Sequence, residues 1–235
     1  WHDFGIGKGG NIIALAAELY HSENVAYLLE RIAERTPYIR PATFSFGEQK
    51  THNSSFQDVQ VGELSSPALI DYLRERGINI ELAKRECKEL RFENNDKTYF
   101  AIGFPNMAGG YELRNHYFKG CIAPKDITHI RQQGEQRAVC YLFEGFMDYL
   151  SFLTIRVDNN PDEPRTNEQD YMVLNSVTNL SKAEQLLRPY SRIGCFLDND
   201  QAGQRAYENM KKIFGNRLQD MSHHYKEHKD LNEYL

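Results

Sequence analysis

At 235 residues, with 40% hydrophobic and 26% charged side chains, the chain is long enough for one large or two modest domains with their own cores, and disorder is not the expected state. A net charge of −5 excludes a polycationic coat that holds nucleic acid through many phosphate contacts, so any grip on a polynucleotide must be local. Cys87, Cys121, Cys140 and Cys195 form no CxxC pair, which excludes a zinc knuckle or redox motif built from them and fits a reduced, cytoplasmic setting.

The chain opens at Trp1, in mid-motif and without Met, and reads as a piece of a longer protein. Residues 1–4 look like the end of a strand and Gly5 to Gly10 like a glycine-rich turn; Lys8 is followed by Gly9, so the spacing of a phosphate-binding P-loop is absent. From Asn11 to Glu34 apolar residues recur at helical spacing with a break near His21 to Asn24, which predicts two helices. The longest apolar stretch, Ile12 to Leu19, is interrupted by Glu18 and is too short to span a bilayer, so no membrane partner is expected. Residues 37–66, with Pro37, Pro41 and no sustained period, read as a linker after a first segment of residues 1–36.

Ser66-Pro67 is a helix start, with Ser66 as the capping side chain; that helix ends at Gly77, and a second runs from Ile80 to about Glu89. Between Leu90 and Cys121 short aromatic and β-branched runs separated by turn residues predict an antiparallel meander. After Ala138 the apolar runs 139–143, 171–174 and 193–197 alternate with helical stretches, which predicts βαβ units and a parallel sheet with its working edge at the strands' carboxyl ends. Residues 157–170 read as a surface loop, and His223, His224 and His228 as a solvated cluster. The fold class is therefore α/β, with an α+β part before it.

Glu144 stands at the tip of the first of these runs, with Gly145 allowing a sharp turn into a helix that carries Asp148. The third run leads into Asp198-Asn199-Asp200, two carboxylates on one face of an extended segment. Either motif alone is as readily a strand end or a helix cap. Together, at the same edge of one sheet, they bring together like charges that are costly to bury without a cation, and Mg²⁺ suits a few carboxylates that leave room for substrate oxygens. Lys229-Asp230 could add another acid where a further strand exits.

Three stretches, Phe143-Glu144-Gly145-Phe146-Met147-Asp148, then Leu197-Asp198-Asn199-Asp200-Gln201-Ala202-Gly203, then Lys229 to Leu235, resemble the successive motifs of the TOPRIM domain in DnaG-type primases. Upstream, Ala101 to Pro105 with Gly109 to Arg114, and Leu73 to Ile78, resemble the catalytic core that precedes TOPRIM in that family. The resemblance implies a core subdomain of helices and antiparallel strands over 67–135 and, over 136–235, a Rossmann-like TOPRIM sheet flanked by helices. It implies catalysis by Glu144, Asp198 and Asp200, with Mg²⁺ (or Mn²⁺) held by these and by Asp148 and Asp230. Arg114, Lys119 and Lys125, interleaved with Tyr111, His116, Tyr117 and Phe118, are the candidates for binding nucleic acid by phosphate contact and base stacking.

Trp1 to Ile13 resembles the end of the family's CHC2 zinc ribbon, but Asp3 and Ile6 stand where the family has cysteines, so no zinc is expected in this chain. The implied function is synthesis of short RNA primers on single-stranded DNA from NTPs, in the cytoplasm, beside a replicative helicase or relaxase; the degenerate ribbon points to a mobile element. Two other readings stand beside it: a TOPRIM nuclease, and a non-catalytic accessory protein that binds single-stranded DNA.

Overall fold

A computed structural model of the protein describes residues 2–3, 8–9, 12–22, 24–35, 56–94 and 97–235. The chain divides into two compact units, residues 1–52 and 53–235. In the first, β1 (His2–Asp3) pairs antiparallel with β2 (Lys8–Gly9), and α1 (Ile12–Tyr20) and α2 (Val25–Arg35) are the two expected helices, burying Ala16 and Leu28. Ile6 and the side chain of Asp3, on which the zinc expectation turns, lie outside the described residues, as does most of the expected linker. Among the described residues no helix is long and apolar enough to cross a membrane.

The second unit begins with an antiparallel sheet of β3 (Gln57–Gly62), β4 (Lys88–Asn94), β5 (Lys97–Pro105), β6 (Tyr111–Arg114) and β7 (Lys119–Ile122), in that spatial order. Its last four strands are the expected meander. The first is a correction, because 57–62 was read as linker. All six of its residues are exposed, so no alternation marks it, and pairing with β4 (Val61 opposite Leu90) is what makes it a strand.

Between β3 and β4 lie α3 (Pro67–Glu75) and α4 (Ile80–Glu86). Asn79 caps α4, its side chain accepting from the N–H groups of Glu81 and Leu82. Ser66 does not cap α3 with its side chain. Instead the backbone N–H groups of Ser65 and Ser66 donate to Glu89 Oε2 at 3.1 and 2.8 Å, and Arg91 holds Oε1 at 2.8 Å. A carboxylate from the neighbouring strand thus anchors the entry to the helix.

The second sheet has the order β12 (Leu218–Asp220), β11 (Arg192–Phe196), β9 (Val139–Phe143), β10 (Asp170–Val173), β8 (Thr128–Ile130). Its first four strands are parallel, as expected, and β8 closes the far edge antiparallel to β10. Both edge strands have three residues, too short for a periodic signal, and neither was expected. The helices are α5 (Phe146–Asn159), α6 (Leu180–Leu187), α7 (Gln201–Phe214) and the short α8 (Leu231–Tyr234).

Side chains alternate across this sheet as the two-residue period requires. Cys140 and Leu142 of β9 face a core shared with Ala183, Leu187, Ala206 and Met210 of α6 and α7. Tyr141 and Phe143 face the other core, which contains α5 and also Leu69, Leu73, Ile102 and Phe104 of the first subdomain. Phe146 to Thr154 of α5 are all buried, because the helix is enclosed between the sheet and that subdomain. Phe104 of β5 stacks on Phe146 at 5.2 Å between centroids. At the opposite edge from the acids, Tyr190 donates to Asp170 at 2.7 Å and contacts His129 Nε2 at 2.8 Å, tying β8 and β10 together.

Glu89 is only 4% exposed. Burial pushes its pKa up, but the hydrogen bonds from Ser66, Ser65 and Arg91 outweigh this and hold it below the usual carboxylate range. Its contribution is therefore present above the unfolded value and lost as pH falls through the lower folded one. Glu89→Gln is expected to cost about 1–3 kcal/mol at pH 7 in urea denaturation, and the gap to the wild type to shrink below about pH 4; an undiminished gap at pH 3 would contradict the account.

Candidate active site

Three polar residues stand side by side just past the carboxyl ends of adjacent strands: Asn175 after β10, Glu144 after β9 and Asp198 after β11. This is the edge where open α/β sheets place their ligands. Across from it, β6 and β7 of the first sheet present Glu112, Arg114 and Lys119, and the two walls enclose a cleft of about 230 Å³. Asp148, Arg76, Lys229, Asp230 and Asn232 complete its lining. Four predicted acids, Glu144, Asp148, Asp198 and Asp230, and two predicted cations, Arg114 and Lys119, thus meet here.

Asp200 and Lys125 do not line the cleft. Asp200 is the N-cap of α7, its Oδ1 accepting from the N–H groups of Ala202 and Gly203 at 2.9 Å each. Lys125 lies exposed beyond β7, where its charge acts on Glu112. Asp230 corrects another expectation: it does not leave a strand but caps α8, accepting from the Glu233 N–H at 2.8 Å. None of the three histidines lines the cleft.

Among the described residues, no group of three or more His, Cys, Asp or Glu side chains is arranged to hold a metal ion as it stands. The reason lies in where each acid is drawn. Asp198 faces Lys229 Nζ at 3.6 Å, Asp148 accepts from the Asn232 N–H at 3.2 Å, and Asp200 and Asp230 each serve a helix N-terminus. Repelling neighbours settle on separate donors.

The electrostatics still mark the cleft as short of positive charge. Burial, and then Asp198, push Glu144 up to about 7. Burial, with Asp230 and Asp198 behind it, pushes Asp148 up to about 7. Asp198 is raised by burial and Asp230 against the pull of Lys229, and Lys229 is raised in turn, chiefly by Asp198. A second observation agrees. Among the described residues, the buried side-chain oxygens without a hydrogen-bond partner are Glu112 Oε1, Glu144 Oε2, Asn175 Oδ1 and Asn232 Oδ1, and all four line this one cleft. Acceptors left open together need donors or a cation, so the residues fit a hard divalent ion.

Several of these residues escaped the sequence reading. Asn175 has a left-handed φ of 61° and is 4% exposed, its Nδ2 held by the Asp126 carbonyl at 2.9 Å and Thr128 Oγ1 at 3.2 Å. Nothing in its sequence context signals it. Arg76, Glu112, Lys229 and Asn232 lie inside stretches that carried the family resemblance, and that was their only signal. Asn199, between the paired aspartates, donates from Nδ2 to the carbonyls of Tyr225 and His228 at 3.0 and 2.9 Å and from its backbone to Lys229. It fastens the last motif to the second.

At this edge Gly203 is required by space. A Cβ at Gly203 would lie 2.2 Å from the Asp198 carbonyl oxygen, so α7 can pack on the Asp198–Asp200 turn only without one. Gly145 turns the chain from β9 into α5, as expected, and caps that helix with an extended φ of −124°; a Cβ there would lie 3.2 Å from Asp148 Oδ2, which would have to shift by a few tenths of an ångström.

Gly203→Ala is expected to destabilise by about 1–3 kcal/mol in denaturant melts, since the clash is with backbone and not with a side chain that can rotate away. In metal-free protein Glu144→Gln removes a repelling charge and is expected to raise the Tm at pH 8, by roughly 2–4 °C for each kcal/mol relieved, with little gain near pH 5 where the folded Glu144 already carries its proton. A lowered Tm at pH 8 would count against the electrostatic account.

Residues 141–235 match the model of a family described as Toprim-like, and residues 58–123 match a domain of unknown function, DUF8464. No curated protein matches the chain. Similar solved structures include the primase fragment of the bacteriophage T7 primase-helicase protein, 14% identical over 85% of this chain and 78% of that one with a TM-score of 0.48. The zinc-binding and RNA polymerase domains of the Aquifex aeolicus primase are 12% identical over 99% of this chain and 68% of that one, with a TM-score of 0.45. Residues 141–235 are thus Toprim-like by family match, and they carry the three motifs read from the sequence, with Glu144, Asp148, Asp198 and Asp230 around one cleft.

Proposed function

We propose that this protein is a DNA primase, a nucleotidyltransferase that joins NTPs into short RNA primers on single-stranded DNA during replication. The observation that carries the reading is the cleft itself, whose lining brings together four open acceptor oxygens and the cations Arg76, Arg114, Lys119 and Lys229. A triphosphate and a cation together satisfy both sets, and neither does so alone.

Glu144 and Asp198 would hold Mg²⁺ or Mn²⁺, joined by Asp200 through the carboxylate oxygen that does not cap α7, with Asp148 and Asp230 supporting a second ion. Bound there, the metal supplies Lewis-acid stabilisation of the phosphate oxygens and lowers the pKa of the attacking 3′-hydroxyl. Joining two nucleotides forms a bond from that hydroxyl oxygen to the α-phosphorus of the incoming NTP and breaks the bond to pyrophosphate. Glu144 would either complete the metal site or, where it does not ligate the ion, act as the general base that takes the hydroxyl proton, a role that its pKa near 7 in the metal-free cleft suits. Arg114 and Lys119, on the opposite wall, hold phosphates, and Lys125 extends that basic side along the strand. Lys229, 3.6 Å from Asp198, would be available to a substrate phosphate when a cation is held by that acid.

The core subdomain of 67–135 would supply the basic wall and the TOPRIM domain of 136–235 the acidic one. A replicative helicase or relaxase of a mobile element, in the cytoplasm, would be the working partner.

Purified protein given single-stranded DNA, NTPs and Mg²⁺ or Mn²⁺ is expected to make short oligoribonucleotides, and Asp198→Ala to abolish them. Cleavage of labelled DNA without NTPs, and no synthesis, would replace this reading with a nuclease. Absence of both, with Mg²⁺ binding unchanged in Asp200→Asn by calorimetry, would leave a non-catalytic binding protein.

A further inference from the structure

Next to the acidic cleft the same subdomain carries a second concavity, of about 460 Å³, whose chemistry is different. It lies between α3 and the outer part of the first sheet, and its walls are Leu69, Tyr72, Tyr99, Phe100, Tyr117 and Phe118. We propose that this groove takes an unstacked base of the single-stranded DNA whose phosphates lie on Arg114 and Lys119. The proposal rests on the primase reading only for the identity of the strand.

The first support is a built turn. Asn115 closes the β6–β7 hairpin, its Oδ1 accepting from the N–H groups of Tyr117 and Phe118 at 2.8 and 3.0 Å, while its Nδ2 donates to the Phe100 carbonyl at 2.9 Å. The tip is thereby fixed to β5 with Tyr117 90% exposed. A large aromatic ring held out in water on a braced turn, beside a groove walled by more rings, is a stacking platform: every base has a π-face, and such a platform needs no particular sequence.

Charge then decides which part of a nucleotide enters. Asp71 and Glu75 stand at the rim, paired to Arg74 at 2.8 Å and opposite His116 at 3.6 Å. Carboxylates there oppose a phosphate, whereas a neutral base meets apolar walls and finds acceptors for its exocyclic amino groups. The phosphates belong on the other side.

Continuity supplies that side. Tyr72, Glu75 and the hairpin tip also border a concavity shared with Arg76, Arg114 and Lys119, and those three cations line the acidic cleft. Tyr72 joins the two directly, its hydroxyl accepting from Arg114 Nε at 3.1 Å. A strand tracked by Arg114 and Lys119 has a base-sized aromatic recess beside it.

The test is equilibrium binding of a short oligodeoxynucleotide containing 2-aminopurine to the full chain in EDTA, read by fluorescence quenching, with Tyr117→Ala and Ala68→Leu as variants. Tyr117 is exposed and Ala68 lies at the groove's mouth on α3, so neither change touches a core. Binding is expected to weaken on the order of tenfold or more in each variant, with loss of quenching, as removal of one stacked base predicts. Wild-type affinity and quenching in both variants would overturn the proposal, as would failure of the wild type to bind the oligonucleotide. A wild type that makes no primers yet quenches in a Tyr117-dependent way would sink the primase reading and leave the groove's assignment standing.

Discussion

The candidate site depends on an apolar contact, the core shared by α5 and the antiparallel subdomain. The acids project from one sheet and the cations from another, and nothing in either sheet alone makes them meet. Phe104 stacked on Phe146, with Leu69, Leu73 and Ile102 packed toward the same helix, holds the two walls at the separation that makes a cleft. Burial of each such side chain contributes about 1.5–3 kcal/mol, so this seam is among the firmest parts of the unit. Precision in the charged groups comes from packing several residues away.

Against that rigid background the charged groups form a deliberate imbalance. Carboxylates with raised pKa values, open acceptor oxygens and a non-glycine residue in left-handed backbone gather at a single edge, and each is unfavourable by itself. The lysine facing Asp198 and the helix N-termini over Asp200 and Asp230 relieve part of the repulsion without filling the cleft. A site that were fully satisfied within the chain would have little reason to bind a ligand. A ligand in the cleft can release the part of the strain that lies there.

The sequence made this edge legible because strand ends are signalled by periodicity: an apolar run with a two-residue period stops, and a carboxylate follows. That logic located Glu144 and Asp198. It failed where structure comes from partners and not from pattern. The all-exposed β3 has no alternation, the three-residue β8 and β12 are too short to show any, and the residue that anchors α3 is Glu89, which lies on a strand more than twenty residues downstream. Asp230 was placed correctly near the site but for the wrong local reason, since a four-residue helix and an emerging strand look alike over so short a stretch. Asn175 had no signal in the sequence and became visible only through what its oxygen lacks.

The edge strand β8 falls between the two family matches, one ending at 123 and the other beginning at 141. It runs antiparallel on β10, and the buried Ile127 before it packs into the same core as α6 and α7. The parallel sheet therefore borrows its last strand from the chain upstream of its own family boundary. A fragment cut at 136 would leave Tyr171 to Val173 as a bare sheet edge, inviting a strand from another molecule. Where the motifs begin is not where the folding unit begins.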